Sequence, residues 1–309
     1  MIPKGCHFMY YSSVGKHSDV SPRRGFFINI EPGDVIVHRF DPKTEDIVDD
    51  VTAEEVERFR LNLKNIDGQL GAYPFASWSK WVSLSNRLNI DLIKKYKIIS
   101  DGGENPLLDV TYNFTEVRKQ KYPDGASAAE ISLHSLDSSF QLDTWLRHHD
   151  SIETVLVELQ LAFILFLIGQ DYESFNQWKL VVDMLCGCGR SLIKYPQLFI
   201  SFLNDLHFQV INKLKYIYWK HLLRHSTSTR IDSYLQLQEV PEDFFVDIIS
   251  CNNFLVASLT NLFSNIREYE ACPNLKSKAI SFENHLTKKF GWCFEDEYDD
   301  EYCPVVVDT

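Results

Sequence analysis

Two cysteines two positions apart, Cys186 and Cys188 in the run Cys-Gly-Cys-Gly, are the spacing in this 309-residue chain that comes nearest to half a zinc site. A structural zinc needs four ligands, and no second Cys or His pair stands at a usual ligand distance in the sequence. Both thiols fall at an expected helix end, where small packed residues are the favoured reading over a metal site. His148 and His149 are adjacent, so a helix would turn them to different faces, and solvated helix-end residues are the simpler reading. There is no Gly-rich phosphate loop, no G-x-S-x-G elbow and no H-E-x-x-H pair. A polar loop holding Asp101 and Glu104 is all that supports an alternative, a hydrolase with an unfamiliar site in the first domain. No catalytic residue, metal, cofactor or small-molecule substrate is assigned, and the expectation is a binding protein rather than an enzyme.

Two aromatic clusters bear on binding: Tyr73, Phe75, Trp78 and Trp81, then Phe244, Phe245 and Phe254. Rings at helical spacing usually pack in a core, and an exposed member would point to an interface. The C-terminus differs, because six of the seven residues 295–301 are acidic and should stay extended by mutual repulsion. Pro304, Val305, Val306 and Val307 follow. Three valines favour a strand, yet so short a strand needs a sheet to join. Chemistry alone leaves two choices open, an edge of its own N-terminal sheet or a partner's sheet by strand addition.

The net charge of −12 argues against direct nucleic-acid binding, since affinity there comes from neutralising phosphates. Seven cysteines form an odd set without disulfide-like spacing, which predicts reduced thiols in cytosol or nucleus. The most apolar run, residues 155–168, contains Glu158 and Gln160 and is shorter than the roughly 20 residues a membrane span needs. It predicts a buried core helix, and no membrane partner.

The elements that would carry these residues define an α+β fold class: a β-rich N-terminal domain with two helices, an all-α helical domain, bundle or short solenoid, and an acidic extended C-terminal tail. Strands are expected over residues 8–11, 25–30 and 34–40, where aromatic and β-branched residues alternate with Gly and Pro turns. Thr52 and Glu55 make a capping box for a helix over residues 52–70, with Val56, Phe59, Leu63, Ile66 and Leu70 on one face. A second helix is expected over 77–88 and a returning strand over 108–114. This first domain covers 1–118, and residues 119–126 form a linker around Pro123 and Gly125. The helical domain spans 127–292. Its helices are expected from the Ser127 and Glu130 capping box to about Leu146, from Asp150 or Ser151 to about Gly169, and from Asp171 through Phe175, Trp178, Val182 and Leu185. Others follow over 196–210, 241–250, 253–269 and 273–290. The tail covers 293–309.

Several motifs along nearly the whole chain, in order, resemble the A1-cistron splicing factor family. They are Tyr10-Tyr11-Ser12-Ser13, Gly25-Phe26-Phe27, Gly71-Ala72-Tyr73-Pro74, Lys80-Trp81-Val82-Ser83-Leu84, Pro123-Asp124-Gly125-Ala126 and Glu158-Leu159-Gln160. Further on come Phe175 with Trp178-Lys179, Pro241 with Asp243-Phe244-Phe245-Val246-Asp247, Asn253-Phe254-Leu255, His285-Leu286-Thr287-Lys288-Lys289-Phe290 and Pro304-Val305-Val306-Val307. The resemblance implies an assembly chaperone of the U5 snRNP, found in cytoplasm and nucleus. It would bind the RNase H-like and MPN-type domains of the large U5 scaffold protein and delay the spliceosomal helicase until maturation. On this reading Pro304 to Val307 add a strand to the MPN-type domain, and residues 295–301 are the tether.

Two departures from the family pattern carry expectations. Met1-Ile2-Pro3 matches an internal stretch of the family, so the N-terminal sheet would lack its first strands and leave an edge uncovered. Residues 210–236 form a basic insertion with Lys213, Lys215, Lys220, Arg224 and Arg230. Joining Gln209 to Leu237 restores the family spacing, and Val210 and Gln236 permit GT and CAG at the two ends, which predicts an intron-derived segment. The spliced transcript tests this. A genuine segment would present a basic surface for acidic partners or membranes.

Overall fold

The computed structural model describes residues 2–12, 24–44, 46–48, 50–96, 112, 114, 119–149, 151–211 and 253–294. The chain divides into two compact units: one takes residues 1–119, 148–181 and 205–240, the other residues 120–147, 182–204 and 241–309.

In the first unit, β1 (Gly5–Tyr11) and β2 (Arg24–Ile30) form an antiparallel pair, with Gly5 opposite Ile30 and Phe8 opposite Phe27. The Phe8 and Phe27 rings lie 4.8 Å apart. Gly25 is fixed by the same packing, since a Cβ there would stand 2.4 Å from the Phe8 ring and 2.9 Å from the Met9 carbonyl. The strand expected over residues 34–40 is shorter than its β-branched composition suggests. Only its end forms β3 (Arg39–Asp41), which pairs with β4 (Asp46–Val48) in a separate hairpin. Asp41 sets that turn by accepting from the Lys43 N–H and the Thr44 hydroxyl.

The capping box at Thr52 forms as expected, but the single helix over 52–70 does not. Asn62 breaks it into α1 (Ala53–Leu61) and α2 (Leu63–Ile66), and a 3-10 turn follows at Asp67–Gln69. None of its apolar-face residues is buried, so the tertiary contact that would hold one straight helix is missing among the described residues. A 3-10 turn, Phe75–Ser77, leads into α3 (Trp78–Ser85), which buries Trp81 and Leu84. Then comes α4 (Ile90–Lys95), unforeseen in the sequence although Asn89 caps it by accepting from the Leu92 N–H. Of the strand expected over 108–114 only Tyr112 and Phe114 are described; both are buried, and Phe114 is helical rather than extended.

The Ser127 and Glu130 capping box opens α5 (Ala128–Leu136), but this helix stops well before Leu146. Asp137 interrupts it, its carboxylate taking the Ser139 N–H and starting α6 (Ser139–Arg147). The apolar run expected to be a core helix is α7 (Glu153–Leu167), with twelve residues buried and no polar face. It stops at Leu167, close to the expected Gly169, and just beyond it Gln170 takes the left-handed φ of 61° while its N–H returns to the Phe166 carbonyl. Asp171 caps α8 (Tyr172–Cys186) by accepting from the Ser174 N–H. Phe175, Trp178, Val182 and Leu185 point inward as expected.

α9 (Ser191–Lys194), α10 (Pro196–Ile211), α11 (Phe254–Glu268) and α12 (Pro273–Phe290) complete the described helices. Asn253 caps α11, Pro273 stands in the first turn of α12, and Gly291 closes α12 at φ 70°. The core of the second unit gathers Leu142, Trp145, Leu185, Phe199, Phe202, Leu259 and Phe263.

Candidate protein-binding surface

The Cys-Gly-Cys-Gly run is a packing device. Cys186 and Cys188 are wholly buried, and burial pushes both thiols well above their ordinary pKa. The Cys188 thiol donates to the Met184 carbonyl, 3.1 Å away. The glycines are there for space: a Cβ on Gly187 would stand 2.9 Å from Ser138 Oγ, and one on Gly189 2.5 Å from the Tyr269 ring. Among the described residues no group of three or more His, Cys, Asp or Glu side chains is placed to hold a metal ion. No helix among them is long and apolar enough to cross a membrane. His148 is exposed and His149 half-buried, at the end of α6.

The first aromatic cluster divides. Trp81 is core: its ring is buried and its Nε1–H donates to the Cys6 carbonyl at 2.9 Å. Trp78 and Tyr73 are half-buried around a residue that sequence spacing does not connect to them, His7 of β1. The His7 ring stacks on Trp78 at 5.4 Å and meets Tyr73 edge-on at 5.8 Å. Its Nε2–H donates to the Pro3 carbonyl at 2.8 Å, while burial lowers its pKa and favours the neutral imidazole. Burial likewise raises the Tyr73 hydroxyl to about 12. Tyr73 packs edge-on against Phe75 at 5.0 Å, and Phe75 is 61% exposed. Trp81, Trp78 and Tyr73 thus form a buried-to-surface series of rings that ends on a phenylalanine facing solvent. This can receive an apolar side chain of a partner.

Beneath that surface, polar residues of the apolar helix α7 fix the unit. Glu158 accepts from the Phe114 N–H at 3.1 Å and from Gln177 Nε2 at 2.8 Å. Gln160 Oε1 accepts the Arg87 N–H at 3.1 Å, and its amide donates to Asn86 Oδ1 at 2.8 Å. Arg87 also ion-pairs with Asp205 and Glu153. The sequence signal was available: two polar residues inside a run that is otherwise apolar must each find partners when buried.

The remaining sequence-derived candidates fall outside the described residues: Pro304, Val305, Val306 and Val307, Asp101 and Glu104, Phe244 and Phe245, and all of residues 212–236. Phe254, the third ring of the second cluster, is half-buried at the start of α11.

Comparison with known proteins gives two matches that together span most of the chain. A family described as AAR2 N-terminal domain matches residues 1–97, and one described as AAR2 C-terminal repeat region matches residues 114–228 and 233–295. The break in the second match falls inside the basic stretch 210–236. Similar proteins include human Protein AAR2 homolog, 33% identical over 355 residues, covering 100% of this chain and 85% of the relative. The mouse protein of that name is 34% identical with the same coverage. The Caenorhabditis elegans protein is 27% identical over 341 residues, covering 95% of this chain and 86% of its own length.

Proposed function

Because the chain belongs to the AAR2 family, the A1-cistron splicing factors, we propose that it is a non-catalytic assembly chaperone of the U5 snRNP that works by binding other proteins. Its partner on this reading is the large U5 scaffold protein, engaged through the RNase H-like and MPN-type domains, so that the spliceosomal helicase binds only at maturation. Pro304, Val305, Val306 and Val307 add a strand to the MPN-type domain, and residues 295–301 tether them. The protein acts in cytoplasm and nucleus.

The observation that carries the reading is the family match itself, two domain matches in order over residues 1–97 and 114–295 with only short gaps. The exposed Phe75 at the end of a ring series agrees with a protein-binding role. The test is a pull-down from nuclear and cytoplasmic extracts with the full chain and with a form lacking residues 303–309. The full chain is expected to recover the U5 scaffold protein, and the truncated form to lose capture of the isolated MPN-type domain. Failure of the full chain to recover the scaffold at low salt overturns the proposal.

A further inference from the structure

We propose that the rings of Tyr73, Phe75 and Trp78 form a docking surface for a proline-rich segment of a partner, bound as a polyproline II helix. The inference rests on the reading of this ring series as a protein-binding surface, and it is independent of which protein supplies the segment.

The two tryptophans of α3 use their indole N–H groups differently. Trp81 spends its own inside the fold, on the Cys6 carbonyl at 2.9 Å. Trp78 is half-buried, yet its Nε1–H is not buried and meets no acceptor among the described residues. A partner that covers Trp78 must therefore bring an acceptor, or leave a buried donor unpaired. An amphipathic helix would bring none, because its carbonyls are bonded within the helix. A polyproline II segment has no internal hydrogen bonds, so every carbonyl it carries is available.

The rings suit such a segment in shape and charge. Tyr73 stands at 69° to both Phe75 and Trp78, with centroids 5.0 and 6.1 Å away. The outer two rings are thus at most about 11 Å apart, against about 9 Å for one turn of polyproline II, so a single turn spans the series. His7 holds Trp78 from below by stacking at 5.4 Å, and its burial favours the neutral imidazole. The Tyr73 hydroxyl, raised to about 12, is neutral as well. Proline rings pack on fixed aromatic faces at low entropic cost, because the segment is already extended before it binds.

The probe is a capped decaproline, added to the full chain labelled with nitrogen-15 at its six tryptophans. The indole signal of Trp78, identified by its loss in Trp78→Phe, is expected to move and to saturate by about 1 mM peptide. The Trp81 signal should stay in place, since its N–H is held by Cys6. By anisotropy of a labelled decaproline, Trp78→Phe should bind about fivefold more weakly, the scale of one lost hydrogen bond. Phe75→Ala should bind about tenfold more weakly. A Trp78 signal that does not move, or moves equally with a glycine-serine decapeptide, overturns the proposal. So does a stronger response to an amphipathic helical peptide, or a shift on concentrating the protein alone, which would assign the surface to a second copy. Unchanged affinity in Trp78→Phe overturns it too. The remaining indole signals report whether each variant folds, and the wild-type titration decides the matter if one does not. None of these readouts involves the U5 scaffold protein, so failure here and failure of the pull-down are separate results.

Discussion

The Arg87 guanidinium donates its Nε–H to Asp205 Oδ2 at 2.7 Å, joining residues 118 apart in the chain. The Asp205 side chain is only 4% exposed, and burial raises its pKa even though Arg87 pulls it down. Arg87 therefore supplies the counter-charge that lets a buried carboxylate stay ionised, while its backbone N–H holds Gln160 of α7.

Replacing Arg87 by Met should cost about 3 kcal/mol at neutral pH, because one partner of a buried pair is left alone. Asp205 would then titrate higher still. A raised carboxyl pKa contributes stability at low pH and loses it as pH rises through the folded value, so the deficit of the variant should shrink on acidification. Denaturant unfolding at several pH values measures both effects. A deficit constant with pH counts against the pairing.

Glu158→Ala should destabilise by about 3 kcal/mol, since it leaves the Phe114 N–H and the Gln177 amide without their buried acceptor. Glu158→Gln keeps an acceptor oxygen and should cost less than half as much. The midpoint of denaturant unfolding ranks them.

His7 predicts an acid transition in the first unit. Its pKa is lowered from 6.5 by burial against Trp78, Trp81 and Tyr73, so its contribution is complete above 6.5 and is lost as pH falls through the folded value. Stability should decline in wild type as pH falls below 6.5, and decline less in His7→Phe. Tryptophan fluorescence during unfolding, dominated near β1 by Trp78 and Trp81, reads this.

Phe75→Ala and Trp81→Ala should separate surface from core. The exposed Phe75 should cost less than about 0.5 kcal/mol of stability, whereas truncating the buried Trp81 should cost about 3 to 5 kcal/mol. If the ring series is an interface, Phe75→Ala weakens capture of the scaffold protein by about tenfold. Unchanged capture assigns Phe75 no part in binding.

Thiol labelling distinguishes the cysteines. Cys293 is exposed and should react with iodoacetamide in the native protein, while Cys186 and Cys188, wholly buried with raised pKa, should react only on unfolding. Added zinc should leave the pattern as it is. Native labelling of Cys188 would remove the packing account of the Cys-Gly-Cys-Gly run.

Local chemistry was legible in the sequence, because it acts over a few residues. The capping boxes at Thr52 and Ser127, the caps at Asp171 and Asn253, the first-turn Pro273 and the apolar run that became α7 all form where their residue types require. The order of motifs likewise identified the family. Where a helix stops was less legible: Asn62 and Asp137 break helices whose periodicity continues past them, because periodicity records which face is apolar and not whether a neighbour covers it. Long-range pairings were out of reach. That His7 lies under Tyr73 and Trp78, that Gly189 makes room for Tyr269, and that Arg87 meets both Gln160 and Asp205 depend on how distant segments pack. Sequence spacing fixed which residues were apolar, charged or small; only the tertiary structure decided which were buried, and hence which polar groups had to find one another.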